Sequence, residues 1–328
     1  MPPSAHPVGG IDYPRTYQEF RSWFPDDQAC REYLAGLRWP NGPTCPHCAE
    51  ADPSFLSTRR IWKCRACRKQ FSVKVGTVFE DSPIGLDKWL PCIWLIVNAK
   101  NGVSSYEIAR SLGVTQKTAW FMLHRIRLAM QTKTFDKFGG PTEIDETFIG
   151  GKARFMHKGK RERMIKGTGG IGKVAVMGLL ERHGEGKKNS TVRISIVKTT
   201  RRAELQAKVR ENVEHGAELF TDALSSYTGL NGEYVHGVID HSEKYVEGKV
   251  HTNGLENFWS LLKRSIKGTY VSIMPFHLFR YLDEQSFRFN NRKDSDGWRF
   301  IQVVKSLAGK RLTYKALIGE QLSQTCAG

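Results

Sequence analysis

Residues 251–264 read HTNGLENFWSLLKR, and the reading of this stretch decides the fold. Leu255, Phe258, Trp259, Leu262 and Ile266 fall at offsets 0, 3, 4, 7 and 11. That is the period of a helix with one apolar stripe, and such a stripe faces a core. Asn253, Glu256, Ser260, Lys263 and Lys267 fall on another face. An amide, a carboxylate and two lysines are therefore lined up on the open side of a well-anchored helix. Upstream, Glu143–Ile149 reads as a strand, and Val174–Leu180 and Val192–Val197 as two more. Arg202–Glu214 reads as a helix, and Glu218–Thr221 as a short strand ending at Asp222. Strands in a run, followed by helix, strand and helix, indicate a mixed α/β domain.

Two aspartates sit awkwardly in those strands. Asp145 lies between Ile144 and Phe148, and Asp222 ends an apolar run. An acid in a buried strand is costly unless it is paired or bound to metal. With Glu256 on the helix, three carboxylates from two strands and a helix can converge on one point. Such a cluster repels itself, and hard divalent cations relieve that repulsion; oxygen ligands suit Mg²⁺ or Mn²⁺. Two ions roughly 3.5–4 Å apart would activate an attacking oxygen and steady the leaving oxygen of a phosphodiester. Taken singly, each acid is more readily a salt-bridge partner or a cap. Taken together, in a basic chain, the three favour the metal reading.

The N-terminal third carries a different signal. Cys45 and Cys48 form CPHC, Cys64 and Cys67 form CRAC, and fifteen residues separate the pairs. Two C-x2-C knuckles at this spacing bring four thiolates to one tetrahedral S4 site, which suits Zn²⁺. Four thiolates leave no open position, so the ion would be structural; the alternative is four reduced thiols without metal. Arg59, Arg60, Lys63, Arg65, Arg68 and Lys69 surround the site with positive charge. Cys30, Cys92 and Cys326 read as ordinary thiols.

Ser104–Met130 reads as two helices broken at Gly113. Ser104 or Ser105 caps the first, which carries Ile108, Ala109 and Leu112, and Thr115 caps the second, with Ala119, Leu123 and Ile126 inside. Gln116, Lys117 and Thr118 then occupy the exposed start of the second helix, where a helix-turn-helix meets base edges. A plain helical hairpin is the competing reading. Arg125, further along, is counted with the same DNA-binding group. Lys152–Lys166 is basic and glycine-interrupted, and Lys158, Lys160, Arg161 and Arg163 in it suit an arm touching DNA or a solvated loop.

The bulk numbers agree with a polyanionic partner. Among 328 residues there are 50 Lys+Arg against 33 Asp+Glu, a formal charge of +17. Nucleic acid is the leading partner, ahead of an anionic membrane surface. Hydrophobic residues make up 40% of the chain, ample for packed cores, and argue against disorder over most of it. No run approaches the ~20 apolar residues of a membrane span. The opening MPPSAHPVGG has no basic head or apolar centre, so it is not a signal peptide, and a reducing cytoplasm is expected.

At this point the chain resembles the DDE-type insertion-sequence transposases of the ISXO-like group. The resemblance runs over about residues 15 to 318, on CPHC…CRAC, EIDETFIGGK, FTDALSSY, VHTNGLENFWSLLKRSIKGTY and RYLDEQSFRFNNR. It implies an α/β multi-domain chain: a helical segment (1–40), a zinc ribbon (41–82), a helix-turn-helix region (83–135), an RNase H-like mixed-sheet catalytic domain (136–295) and a C-terminal tail (296–328). It implies metal-dependent cleavage at transposon ends, then joining of the freed 3′-hydroxyl to target DNA. Asp145 and Asp222 match the first two catalytic positions. Either Glu256 or Asn253 fills the third; charge and spacing favour Glu256, with Asn253 as a second ligand or positioning group. Lys263, Arg264 and Lys267 would grip DNA phosphates near the scissile bond, and His251 would either approach the phosphate or serve as a cap. The implied cofactors are structural Zn²⁺ and two Mg²⁺ or Mn²⁺. The implied partners are double-stranded DNA, at terminal inverted repeats and target, and further copies of the chain in a dimer or larger synaptic assembly. The implied location is the nucleoid of a prokaryotic cytoplasm. A zinc-ribbon DNA-binding regulator without catalysis, or an RNase H-like nuclease without strand transfer, would share many of these features.

Overall fold

The chain, seen in a computed structural model that describes residues 7–131, 136–150, 158–159, 162, 173–184, 189–222, 225–239 and 251–319, divides into two units. Residues 1–131 and 294–328 make up the first, and residues 132–293 the second.

In the first unit, α1 (Tyr17–Trp23) and α2 (Asp27–Arg38) are capped by the side chains of Thr16 and Asp26. Their rings build an aromatic core: Phe20 packs on Trp94 and Phe300, with centroids 5.0 and 5.4 Å away. A three-stranded antiparallel sheet follows, from β1 (Ser54–Leu56), β2 (Ile61–Lys63) and β3 (Gln70–Phe71). The sheet ends at Phe71, and Val73, Val78 and Phe79 turn into the core. The helices α3 (Leu86–Asn98), α4 (Ser105–Leu112) and α5 (Gln116–Ala129) come next. Ser104 and Glu107 form a reciprocal capping box on α4, Gly113 ends that helix at φ +60°, and Thr115 caps α5. Residues 294–319 belong to this unit and do not stand apart as a tail.

In the second unit, β4 (Thr142–Gly150), β5 (Lys173–Glu181) and β6 (Thr191–Val197) form an antiparallel meander. The helix α6 (Arg202–Asn212) leads to β7 (Glu218–Asp222), which returns parallel to β4, and β8 (Val235–Ile239) adds parallel to β7. The five strands lie in the order β6-β5-β4-β7-β8. One face of the sheet holds Ile144, Met177, Leu179 and Leu219 against Leu205 and Val209 of α6. The other holds Val176, Leu180 and Val192 against α7 (Asn253–Ser265) and α8 (Leu278–Asn290). Because β5 is covered on both faces, it reads as a near-continuous apolar run.

The helix that opened the sequence reading docks by the expected stripe. Leu255, Phe258, Trp259 and Leu262 are buried, while Asn253, Glu256, Ser260, Lys263 and Lys267 are exposed. Past Ser265 it widens into a π-helical turn, Ile266–Tyr270. The docking depends on a gap in β5. Gly178 pairs with Asp145 across the sheet, and a Cβ there would stand 2.7 Å from the Trp259 ring and 2.9 Å from Leu255 Cδ2. The indole occupies that space. Gly178→Ala should therefore destabilise the second unit by about 1–3 kcal/mol, the usual cost of overpacking, read by urea denaturation; an unchanged midpoint would show that the helix does not need the gap.

Candidate functional site

The parallel pairing of β4 with β7 brings the two aspartates together. The described register runs Thr142↔Leu219, Glu143↔Phe220 and Ile144↔Thr221. One step further along both strands come Asp145 and Asp222. They lie on the face that α7 covers, since Ile144 and Leu219 point into the opposite core.

Glu256 approaches Asp145 from the helix. It is the fourth residue of α7 and lines a cleft of about 570 Å³ with Asp145, Glu146, Thr147, Trp259, Ser260, Lys263, Arg264 and Lys267. Asn253 is exposed at the first position of the same helix and does not line this cleft. The Asp145 carboxylate is held at both oxygens: Oδ2 accepts the Trp259 indole N–H at 2.9 Å and Oδ1 accepts the Glu146 amide at 2.8 Å. Burial raises the pKa of Asp145, the two hydrogen bonds oppose that rise, and the charges of Asp222 and Glu256 add to it. Asp145 thus senses the charge of both other acids. The oxygens of the three acids are not drawn into a tight cage, however. Among the described residues, the four cysteines are the only group of three or more potential ligands lying within 4.8 Å of one another.

Glu146 was not singled out in the sequence. Strand alternation sends it to the face opposite Asp145, yet it also lines the cleft. The described pairing of β7 stops at Ile144↔Thr221, so that side of β4 is open by residue 146. Its Oε1 is buried without a hydrogen-bond partner among the described residues. Burial, then the charges of Asp222 and Asp145, push its pKa up to about 8. An orphaned carboxylate oxygen beside two other acids marks a place suited to a cation. The only hint in sequence was the second glutamate of EIDE.

Lys263, Arg264 and Lys267 form a cationic rim on the same cleft, and all three are exposed. Lys158 is exposed as well. Lys160, Arg161 and Arg163 lie outside the described residues. His251 belongs to the root of α7, where its carbonyl accepts from Arg182 at 2.6 Å.

In the first unit the four cysteine sulfurs gather as the spacing demands. Cys45 and Cys67 Sγ are 3.7 Å apart, and Cys48 and Cys64 Sγ are 3.5 Å apart. Ala49 and Arg68, each directly after a knuckle, take left-handed φ of 61° and 59°, which closes both turns. The Cys67 amide donates to Cys64 Sγ at 3.4 Å and helps pull the Cys64 thiol down to about 7. Cys30 and Cys92 are buried thiols away from the quartet.

The start of α5 differs from its middle. Lys117 is exposed, with its ammonium 4.9 Å from the centre of the Tyr314 ring. Gln116 donates to Ser105 Oγ at 2.8 Å, and the Thr118 amide bonds the Thr115 cap. Arg125 does not belong with them. It is buried, and its guanidinium donates to the carbonyls of Leu312, Val78 and Glu80. It is an internal cross-link of the first unit, not a surface for phosphates. Among the described residues, no helix is long and apolar enough to cross a membrane.

Comparison with known proteins agrees with this division of the chain. Residues 25–70 match the family described as the transposase zinc-ribbon domain. Residues 137–290 match the family described as the ISXO2-like transposase domain. A protein of Halobacterium salinarum, named as an uncharacterized protein in transposable element ISH50, is 25% identical over 253 residues, covering 74% of this chain and 83% of that protein. With a thiol quartet of zinc-site geometry in one matched region and two neighbouring aspartates facing a docked helix in the other, residues 25–70 belong to the transposase zinc-ribbon family and residues 137–290 to the ISXO2-like transposase domain family.

Proposed function

We propose that the chain is an active insertion-sequence transposase that binds transposon ends and carries out metal-dependent strand cleavage and strand transfer. The observation that carries this reading is the β4–β7 register, which sets Asp145 beside Asp222 on the face covered by the helix bearing Glu256. The strand order, with a three-strand meander followed by two parallel additions, suits an RNase H-like catalytic domain.

The acids fit divalent cations by charge, by oxygen donor type and by a Glu146 oxygen that has no hydrogen-bond partner among the described residues. Asp145, Asp222 and Glu256 would hold Mg²⁺ or Mn²⁺, with Asn253 left as a peripheral positioning group. Bound there, the ions would activate an attacking oxygen and stabilise the leaving oxygen of a phosphodiester. The chain's own groups do the rest. The Trp259 indole fixes the rotamer of Asp145, and the docked stripe of α7 holds Glu256 at a set height above β4. Lys263, Arg264 and Lys267 attract the backbone of the DNA to the same cleft and counter the charge of its phosphates.

DNA engagement is shared with the first unit. Cys45, Cys48, Cys64 and Cys67 would hold a structural Zn²⁺, which would tie the two knuckles around a small core of Phe71, Trp39 and Trp62. Gln116, Lys117 and Thr118 present the start of α5 to the major groove in the manner of a helix-turn-helix, and Lys158, with Lys160, Arg161 and Arg163, adds phosphate contacts. Transposition joins two ends, so the working form is a dimer or larger synaptic assembly in the nucleoid.

Two outcomes test this reading. Asp145→Asn, Asp222→Asn and Glu256→Gln should each lower Mn²⁺-dependent nicking and strand transfer on DNA bearing the element's own inverted repeats by about 10²-fold or more, roughly 3 kcal/mol of barrier. Retention of DNA on gel shift is expected in all three; wild-type nicking rates in both aspartate variants would contradict the proposed site. Purified full-length protein should carry one equivalent of zinc, and Cys48→Ser should lose it together with most DNA affinity. Zinc-free protein with undiminished affinity would refute the structural ion.

A further inference from the structure

We propose that Glu143 is a positioning residue: from β4 its buried carboxylate caps α7 and thereby fixes where Glu256 stands relative to Asp145. The role assigned to Glu256 rests on the transposase reading above, whereas the cap rests on geometry alone.

A helix begins with N–H groups that have no partner within it. Thr252, the N-terminal flanking residue of α7, makes no side-chain cap. Glu143 supplies one from 112 residues away, its Oε2 accepting the Leu255 amide at 2.9 Å. A negative charge at this end also suits the helix dipole. The approach is tight. A Cβ on Gly254 would stand 2.8 Å from Glu143 Oε2 and 3.1 Å from Oε1, so the helix start carries the one residue that lets the carboxylate in.

The other oxygen of Glu143 is also held. Oε1 accepts Arg182 Nε at 2.8 Å, and the same guanidinium donates to the His251 carbonyl at 2.6 Å and lies 2.9 Å from His251 Nδ1. His251 Nδ1 is itself 3.5 Å from Glu143 Oε1. The Arg182 guanidinium stacks 4.3 Å from the centre of the Phe220 ring, on β7 two residues before Asp222. One carboxylate therefore joins β4, the segment entering α7 and α7 itself, and its arginine leans on β7. These are the elements that carry Asp145, Glu256 and Asp222.

The chemistry explains why an acid can serve here. Glu143 lies two residues from Asp145 on the same strand face, where a further negative charge would add to the repulsion. Arg182 neutralises it, so the helix is fixed without charging the cleft. Glu143 then acts through Glu256 and touches neither metal nor DNA.

The test uses the full-length protein and Mn²⁺ alone. Wild type, Glu143→Ala, Glu143→Gln and Gly254→Ala are compared by hydrogen exchange at the α7 amides without added divalent ion, and by Mn²⁺ titration followed by electron paramagnetic resonance. Gly254→Ala is favoured by helix propensity, so it keeps the question open should Glu143→Ala fail to fold. Both should speed exchange at Leu255 and weaken Mn²⁺ binding by about 10- to 100-fold, the usual effect of losing a partner that orients a ligand. Glu143→Gln, which keeps an acceptor for the Leu255 amide, should fall between them and wild type. Faster exchange with wild-type Mn²⁺ affinity would make Glu143 a stabilising cap only and overturn the positioning role. Wild-type protein that binds no Mn²⁺ would overturn the metal reading, and this role with it.

Discussion

Trp259 lies in the space left by Gly178 and gives its indole N–H to Asp145. Through this contact apolar packing fixes the position of charge. Deleting a buried Trp side chain typically costs about 3–5 kcal/mol, a favourable contribution set against the electrostatic penalty of crowding several acids. The apolar stripe of α7 thus provides the favourable energy, and the acids occupy the face that this packing leaves open. At the N-terminal end of the same helix, Glu143 and Gly254 make a second attachment to β4. Two points of contact define the tilt as well as the height of the helix.

The same local device appears in the first unit. The α3 helix begins at Leu86, whose amide donates to Asp27 Oδ1 at 2.6 Å, and a Cβ on the preceding Gly85 would stand 3.1 Å from that oxygen. A glycine at a helix start, with a carboxylate entering from another element, therefore serves in both units. In α3 it orders a helix of the aromatic core. In α7 it orders a helix whose outer face is chemically loaded. The difference lies in what the open face carries, not in how the helix is held.

Much of this was legible in the sequence because it is periodic or spaced. The stripe from Leu255 to Leu262, the strands flanking Asp145 and the two cysteine knuckles each follow from local pattern. What escaped depended on distant chain. The β4–β7 register cannot be read from either strand, and β8 was missed because VHGVI interrupts its apolar run with His236 and Gly237. Arg125 was grouped with surface bases on charge alone, while the carbonyls that bury it come from positions 47 and 187 residues away. Glu143 was seen only as part of a strand, since its partners Arg182 and Leu255 lie far along the chain. Glu146 escaped because alternation assigns it to the wrong face, and only the open side of β4 returns it to the cleft.

The central claim is that acids from β4, β7 and α7 share divalent cations. Anomalous scattering from crystals grown with Mn²⁺ tests it most directly. The account predicts an anomalous peak coordinated by Asp145 together with Asp222 or Glu256, in the cleft rimmed by Lys263, Arg264 and Lys267. Manganese bound only elsewhere, with these carboxylates unliganded at saturating Mn²⁺, would contradict it.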